Sequence, residues 1–551
     1  MPTDAVFAAT PGGLLLVLAI LLPFAGVMLG LVLGGRRAQQ VAWATIALGL
    51  LLVLAIAWQL LASGEAVVHL LGGWAPPLGV ALRADGLSVC MMVAVAVVVG
   101  FIALYANGDF GTPKGVREAR APFAFWLLLL AVWGSLNLVF VSGDVFTLYV
   151  ALELLTFAGV PLVALDGRAE TLQAALRYLI YALAGSMFYL LGTFLLYGAY
   201  GTLDISLLAA RVEPEPLAWL AAALMTAGLL AKTALFPQHL WLPPAHAGAP
   251  AAASALLSAL VIKGAWFLVV RLWVDVFPGL VSLPAAQWLA GFGAAAILVG
   301  NIVALQQARL KLLIAYSTVA QIGYLFLMFP LVASLDAAQL DSSSAITGGL
   351  LQAISHATAK AAMFMAAGLI YGTLGHDRVA ELRGAGRALP MTMTAFALAG
   401  ASLIGLPPSG GFLAKWLLMS SALATGQWWW VLVMGVGGLL TSAYVFMVVV
   451  RAMAPAAPGW VPKKQVPRYQ QVAVLALALC SFLLGLAALL PYDVTQIGRA
   501  PLASAVPGGL NGMNGPSGLS GPSGLNGAAG VIAVSAALTS GATGATGAPA
   551  P

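Results

Sequence analysis

The sequence is poor in charge and in cysteine. Only 8% of its 551 residues are Asp, Glu, Lys or Arg, whereas 62% are hydrophobic. A set of soluble domains exposes too much surface to be built from so few polar side chains, so that class is excluded. The two cysteines, Cys90 and Cys480, lie far apart in apolar stretches, which excludes a disulfide framework and a cysteine metal cluster. The sequence therefore predicts neither a metal site nor a bound cofactor.

Hydrophobic stretches of about twenty residues recur along the chain, each long enough to cross roughly 30 Å of hydrocarbon. These runs are much longer than barrel strands and show no alternation of polar and apolar residues, so they predict helices. The first run lacks the basic start of a cleavable signal and is interpreted as the first span. The predicted fold is an all-α polytopic membrane protein of about fourteen spans, near 11–34, 41–62, 83–104, 121–141, 144–165, 171–199, 216–243, 248–273, 285–305, 311–333, 345–373, 389–423, 428–451 and 470–490.

The basic residues are unevenly divided between the loops. Loops after odd-numbered spans carry fifteen Lys or Arg residues, including Lys114, Arg117 and Lys311, whereas loops after even-numbered spans carry only Arg83, Arg211 and Arg271. By the positive-inside rule, the odd loops are cytoplasmic and both termini lie on the outer side. The net charge of +6 is thus explained by topology rather than by nucleic-acid binding.

Five ionisable residues remain deep inside predicted spans: Glu153, Lys232, Lys263, Lys360 and Lys415. Each costs roughly 2.5–3.5 kcal/mol at the bilayer centre, so they are expected to face the bundle interior, to pair, or to meet water. A structural salt bridge could account for one Glu–Lys pair, but it leaves three lysines without an acid. Buried amines that exchange protons are what a proton path requires, and this interpretation is preferred.

Uncharged polar residues extend the same pattern. Gln352, His356 and Lys360 recur four residues apart on one face of span eleven, and Ser317, Gln321 and Tyr324 form a similar stripe on span ten. Such a stripe is as often a contact between helices as a water wire. His356 alone fits a packing histidine and a proton relay equally well, but its position beside Lys360 favours the relay.

Prolines interrupt two of the spans next to these lysines. "FPQHLWLPP" follows Lys232 in span seven, and "GLPPSGG" precedes Lys415 in span twelve. Proline removes a backbone donor, and broken backbone at membrane depth survives only where it lines a buried or water-filled cavity. Ordinary proline kinks are the alternative, but a matched pair five spans apart is typical of inverted repeats. The residues predicted at these breaks and in the water around them are Pro237, His239, Pro243, His246, Pro407 and Pro408.

The chain therefore divides into five predicted parts. Spans four to eight and nine to thirteen form two inverted five-helix repeats, and Gly, Pro and Ser enrichment after residue 500 predicts a disordered tail. The parts are a three-helix segment (1–120), the two repeats (121–275 and 280–452), a last helix (453–495) and the tail (496–551).

The motifs around these residues resemble one family. "LLAKTALFPQHLWLPPAHAGAP", "LKLLIAYSTVAQIGYLF", "ISHATAKAAMFMAAGLIYG" and "GLPPSGGFLAKWLL" are similar to segments of the proton-translocating antiporter-like subunits of respiratory complex I, membrane-bound hydrogenases and Mrp Na+/H+ antiporters. "GGWAPPLGVALRADGLS" most resembles the D subunit of the Mrp antiporter. The resemblance implies fourteen helices, two inverted repeats and broken helices seven and twelve. It also implies that protons pass along Glu153, Lys232, Lys263, His356, Lys360 and Lys415. Some members have histidine at Gln321, where this chain could hold water but no titrating proton.

The predicted function is a proton-translocating subunit, like the Mrp D subunit, of a multisubunit cation/proton antiporter in a prokaryotic inner membrane. Its partners would be other membrane subunits, H+ and Na+, with no nucleic acid. The alternative is a proton-pumping subunit of a complex I-like or hydrogenase-type complex. A transporter of organic solutes is disfavoured, because the interior lacks the varied aromatic and amide groups of a solute pocket. A cofactor-bearing redox subunit is disfavoured because the sequence has no cysteine cluster and no phosphate-binding loop. "GFGAAA" (291–296) matches half of a dinucleotide-binding motif, but it lies in an apolar span without a preceding strand.

Overall fold

The structure is a computed structural model that describes residues 8–112, 116, 119–335, 344–456, 460–486 and 490–498. The predicted tail, from residue 499 onward, lies outside the described residues, as do Lys114 and Arg117 of the predicted cytoplasmic loops. Two short strands accompany the helices. They are β1 (Val67–Leu70) and β2 (Ala81–Ala84), which pair antiparallel in a hairpin that the sequence analysis did not predict.

Helices make up about four fifths of the described residues, which confirms the predicted fold class. Thirteen of the helices in the described ranges are long and apolar enough to cross a membrane. Two shorter apolar helices, Pro390–Ile404 and Gly410–Ala424, follow one another where span twelve was predicted. The total of fourteen spans, the inverted symmetry and the five-part division stay predictions.

The α-helices of the first half have the following bounds: α1 Leu14–Leu33, α2 Gly35–Ser63, α3 Gly86–Asp109, α4 Arg120–Val141, α5 Val145–Val163, α6 Ala169–Tyr200, α7 Ile205–Arg211, α8 Pro216–Thr233, α9 Leu242–Gly248, α10 Ala251–Leu256 and α11 Ile262–Arg271. Those of the second half are α12 Leu283–Leu305, α13 Leu310–Phe326, α14 Met328–Ala333, α15 Ser344–Leu374, α16 Ala385–Ala388, α17 Pro390–Ile404, α18 Gly410–Ala424, α19 Trp428–Met453, α20 Arg468–Leu483 and α21 Leu490–Gln496. Short 3₁₀ segments cover Leu71–Gly73, Gln238–Trp241, Val379–Glu381 and Leu484–Leu486, and π-helical segments cover Leu257–Val261 and Leu272–Val276.

Loops that follow odd-numbered spans meet at one end of the bundle, which we call the basic end. There Arg309 forms an ion pair with Asp377, and Arg168 donates to the carbonyl oxygen of Gly248. Loops that follow even-numbered spans meet at the other end, where Asp144 pairs with Asp204 through a backbone bridge. This segregation is what successive membrane crossings require.

The expectation that Arg271 belongs to a loop is wrong. Arg271 is the last residue of α11, inside a candidate span that runs from Ala251 to Val276. Its guanidinium donates to both carboxylate oxygens of Asp85, at 2.7 and 2.6 Å, and to Asp275 at 2.8 Å. Hydropathy alone could not reveal that these acids accompany the arginine into the bundle and neutralise its charge.

Candidate functional site

The six residues predicted to transfer protons lie inside the bundle. Lys263, His356 and Lys360 are at most 1% exposed, and Lys415 and Lys232 are 6% and 8% exposed. The side chain of Glu153 is 14% exposed. None of these ionisable groups faces lipid as an open charge, which is the condition that the cost of burying charge imposes.

Glu153 on α5 and Lys232 on α8 form an ion pair, with 3.3 Å between Oε1 and Nζ. The same ammonium donates to the Thr156 hydroxyl at 2.9 Å and reaches the Leu152 carbonyl oxygen at 3.4 Å. Ser186 on α6 donates its hydroxyl to the Glu153 carboxylate. Both charges are thus paired and hydrogen-bonded, which is the arrangement that makes a buried pair tolerable.

A small cavity lies beside this pair. It has room for about one water molecule. Two of its lining residues, Val261 and Ala265, are the residues two positions before and after Lys263. The cavity therefore lies between Lys232 and the segment that carries the next lysine. Its full lining is Leu152, Leu155, Thr156, Tyr178, Ala182, Lys232, Val261 and Ala265.

Lys263 is the second residue after the π-helical segment Leu257–Val261. Its ammonium donates at 2.6 Å to the carbonyl oxygen of Ser258, five residues earlier. The Ser258 hydroxyl in turn lies 2.9 Å from the hydroxyl of Thr318 on α13. Single π-turns inside α-helices occur often at functional sites. Ser258 and Thr318 were not predicted from the sequence, because their contact depends on this turn and on how two helices pack.

Lys360 on α15 joins the same network from the other side. It donates to the Ile314 carbonyl oxygen at 3.0 Å and to the Ser317 hydroxyl. Thr318 donates to the same Ile314 oxygen at 3.0 Å. Polar contacts therefore connect Lys263 to Ser258, Ser258 to Thr318, and Thr318 and Lys360 to one shared acceptor, the Ile314 carbonyl oxygen.

Lys415 closes the series at the second broken helix. Its ammonium donates to the carbonyl oxygens of Leu403 and Ile404, at 2.5 and 3.1 Å, and lies 4.3 Å from the centre of the Tyr324 ring. These two carbonyls end α17, where the last helical acceptors have no partner within the helix and favour a cation. Gln321 donates to the same Leu403 oxygen at 3.2 Å and accepts from Gln352 at 3.0 Å.

His356 is the least satisfied polar group of this set. Neither ring nitrogen has a hydrogen-bond partner among the described residues, although the residue is 1% exposed. A buried polar atom without a partner costs about 1–3 kcal/mol, so packing alone does not explain a histidine here. A water molecule beside the ring would supply the missing partner.

The first helix break lies between Thr233 and Gln238. α8 ends at Thr233, and Ala234 follows in the left-handed region with φ of 55°. Pro237 lies within the break, whereas Pro243 lies in the first turn of α9, where a proline starts a helix rather than interrupting it. His239 and His246 are buried, each with an Nδ1 atom that has no partner in the described ranges.

The second break, between α17 and α18, is more open than the sequence suggested. Ser409 caps α18 by accepting from the Phe412 N–H, but Pro407 and Pro408 are exposed on this chain. Gly485 approaches so closely that a β-carbon built on it would lie 2.0 Å from the Pro408 carbonyl oxygen. The 3₁₀ segment that follows helix α20 thus covers one side of the break, and Pro407 and Pro408 stay exposed among the described residues.

Comparisons with known proteins agree with this architecture. Residues 142–441 match the family model described as NADH:quinone oxidoreductase/Mrp antiporter, TM. The chain is 37% identical over 444 residues to the N subunit of the NADH-quinone oxidoreductase of Desulforudis audaxviator, covering 77% of this chain and 86% of that protein. It is 30% identical over 416 residues to the D subunit of the Na(+)/H(+) antiporter of Alkalihalophilus pseudofirmus, covering 74% and 80%.

A solved structure shows the same fold. A chain of the Mrp complex from Dietzia sp. superposes with a TM-score of 0.79, at 24% identity, over 90% of this chain and 98% of that chain. The match of 300 consecutive residues contains Glu153, all four interior lysines and both helix breaks. The chain therefore belongs to the NADH:quinone oxidoreductase/Mrp antiporter transmembrane family of antiporter-like membrane subunits.

Proposed function

We propose that this chain is the proton-translocating membrane subunit of a multisubunit complex, and that protons move along Glu153, Lys232, Lys263, His356, Lys360 and Lys415. The observation that carries the proposal is the excess of buried amines over acids. Among the described residues only Lys232 of the four lysines has a carboxylate partner. The other three donate mainly to backbone carbonyls, which accept a hydrogen bond but hold no countercharge.

The geometry supports a stepwise transfer. While Glu153 is ionised beside Lys232, the ammonium form of the lysine is favoured; neutralising or moving the carboxylate favours the neutral amine, because burial disfavours the charge. The released proton can pass through the water-sized cavity to the neutral amine of Lys263. From there a water molecule would take it to the Ser258 hydroxyl, which lies 2.9 Å from the Thr318 hydroxyl, and each hydroxyl gives up one proton as it accepts another until the neutral amine of Lys360 is reached. His356 and Lys415 then carry it to the second helix break.

The complex that contains the chain is proposed to be of the complex I type. The support is the higher identity to the N subunit of an NADH-quinone oxidoreductase, 37%, compared with 30% to the D subunit of a Na(+)/H(+) antiporter. The Mrp D-like role that the sequence analysis preferred is the second candidate, favoured by the Mrp structure with its TM-score of 0.79. In either complex the partners are other membrane subunits and H+; transport of Na+ belongs to the second candidate only.

The chain is proposed to lie in a prokaryotic inner membrane, with the basic end in the cytoplasm and both termini outside. The excess of Lys and Arg in the odd loops supports this orientation. Fusing a reporter that is active only in the cytoplasm to the loop at Lys464, and separately to the C-terminus, tests it. Activity at the C-terminus and not at Lys464 would reverse the orientation.

The proton path is tested on the complete complex in sealed vesicles, by following internal pH when the complex is driven by its quinone reaction or by a Na+ gradient. Lys360→Met should abolish proton movement, because methionine keeps the side-chain volume and removes the exchangeable proton. Lys464→Met, at an exposed lysine of the basic end, is the matched control and should transport normally. Wild-type proton movement with Lys360→Met would refute the path.

A further inference from the structure

Three basic side chains converge on the end of α9, the second half of the first broken helix. Arg309 donates to the Ala247 carbonyl oxygen at 3.5 Å, and Arg168 donates to that of Gly248 at 3.1 Å. Lys311 donates to the carbonyl oxygen of Ala249, directly after the helix, at 2.8 Å. Carbonyls at a helix C-terminus lack partners within the helix and carry partial negative charge, which explains why cations gather there.

Lys311 differs from the two arginines in its exposure and in its contacts with carboxylates. The side chain of Arg168 is 60% exposed and forms an ion pair with Asp166, and that of Arg309 is 47% exposed and forms an ion pair with Asp377. Lys311 is only partly exposed and, among the described residues, has no carboxylate within ion-pair distance. An arginine stays charged, whereas a lysine away from water can release its proton. Lys311 is therefore the member of this group that can exchange protons.

The position of Lys311 on α13 points towards the interior network. Ile314, whose carbonyl accepts from Lys360, and Thr318 follow it at three and seven residues, so all three share one face of the helix. From the sequence alone, Lys311 was predicted only to be one of the loop charges that orient the chain in the membrane. Its place on this face connects the basic end to the network.

His246 lies three residues before Ala249, whose carbonyl oxygen accepts from Lys311. It is in the last turn of α9, it is 1% exposed, and its Nδ1 atom has no partner among the described residues. Its ring stacks at 4.8 Å on Phe364, one turn after Lys360 on α15. The charges that act most strongly on this ring are those of Lys360, Lys311 and Lys263, in that order.

We infer that Lys311 and His246 form the branch through which protons pass between the basic end and the interior lysines. The ammonium of Lys311 gives a proton, directly or through one water, to the free nitrogen of the neutral His246 ring. The amine is then neutral and the ring is an imidazolium, which passes a proton from its other nitrogen to the neutral amine of Lys360. Each step moves a proton between side chains, so the branch carries protons and offers no continuous path for a metal cation.

Asp377, Arg309, Arg168 and Asp166 are the other charged groups that act on Lys311. If a substitution of Lys311 also removed its positive charge, a change in these electrostatic interactions could not be told apart from a loss of proton exchange. Lys311→Arg keeps the positive charge and the contact to the Ala249 carbonyl but removes the exchangeable proton at working pH. This variant therefore separates the structural role of Lys311 from its role in proton exchange.

The inference rests on the proposed proton path, and the experiment distinguishes the two. In vesicles that hold the complete complex, Lys311→Arg and His246→Phe should each slow proton movement at least tenfold, while Lys464→Arg should not. Lys311→His should keep transport but shift its dependence on the pH at the basic end to lower pH, because histidine titrates near 6.5. If Lys360→Met abolishes transport and Lys311→Arg transports normally, this inference fails and the proposed function stands. If Lys360→Met also transports normally, both fail.

Discussion

Gly185 and Gly228 face each other across the contact between α6 and α8, so closely that a β-carbon on Gly228 would lie 2.2 Å from the Gly185 carbonyl oxygen. Ser186, which holds the Glu153 carboxylate, follows Gly185 in sequence, and Lys232 lies one turn after Gly228. The close approach of these two backbones therefore sets the distance between the acid and the lysine. Small residues are the usual means of bringing membrane helices together.

Gly228→Ala should separate α6 from α8 and lengthen the Glu153–Lys232 contact. Backbone atoms meet the new β-carbon, since the Tyr189 nitrogen would also lie only 3.0 Å away, so no flexible side chain can yield. We expect at least a tenfold loss of proton transport by the complete complex in vesicles, with the protein still inserted.

Gly198→Ala is the matched control for this substitution. Gly198 lies on α6, the helix that faces Gly228, and a β-carbon there meets nothing within 4 Å. Its transport rate should equal that of the wild type, and its helix should be slightly more stable because alanine is the better helix former. Equal losses in Gly228→Ala and Gly198→Ala would show that helix spacing near Glu153 is irrelevant to transport.

Thr318→Val should break the hydroxyl contact between Lys263 and Lys360 with little change in volume. Valine has no hydroxyl to meet Ser258 at 2.9 Å or to donate to the Ile314 carbonyl. Proton transport should fall tenfold or more, and adding Ser258→Ala should lower it little further, because both substitutions cut the same contact.

Thr358→Val is the control for the loss of a hydroxyl. The Thr358 hydroxyl, on α15, is buried but donates only to the Ile354 and Ser355 carbonyls of its own helix. Transport by Thr358→Val should therefore match the wild type. If Thr318→Val and Ser258→Ala each reduced transport and the double variant reduced it by the product of the two factors, the two hydroxyls would act separately and the link would be wrong.

The sequence was sufficient to predict which residues are inside, but not what they contact. Burial of Lys263 and Lys360 follows from the cost of exposing charge to lipid, which needs no knowledge of tertiary packing. The spacing of Gln352, His356 and Lys360 likewise follows from helical geometry. By contrast, the Ser258–Thr318 contact joins residues 60 positions apart through a π-turn, and no periodicity reports such a turn.

The errors at Arg271 and at the second break have physical causes. The predicted eighth span, 248–273, reached past Arg271, yet its charge was assigned to the following loop, because the sequence does not show that Asp85 and Asp275 compensate this charge inside the bundle. Proline predicts that a helix stops but not on which side of the bundle the break lies. Pro407 is exposed among the described residues, and this depends on how the helices pack.

Asp204, in the loop between α6 and α7, should make the stability of the protein depend on pH. Burial raises the pKa of its carboxyl from 3.8 to about 6, although the N–H groups of Leu207 and Ser206 and the charge of Arg83 oppose this, and the charge of Asp144 adds to it. The folded state thus binds this proton more tightly than the unfolded state, so the contribution to stability is lost as pH rises through about 6. Between pH 5 and 7.5 the loss amounts to about 1.4 kcal/mol.

Asp204→Asn should remove that loss, because the amide oxygen can still accept from Ser206 and Leu207 at the start of α7 while carrying no charge. The measurement is the temperature at which the purified protein in detergent unfolds, at pH 5 and at pH 7.5. Between pH 5 and pH 7.5 the unfolding temperature of the wild type should fall further than that of the variant, and at pH 7.5 the variant should be at least as stable as the wild type. Glu213→Gln, at an exposed acid two residues beyond α7, is the control and should retain the wild-type pH dependence. If Asp204→Asn also retained the wild-type pH dependence, the Asp204 carboxyl would be ionised in the folded protein without lowering its stability.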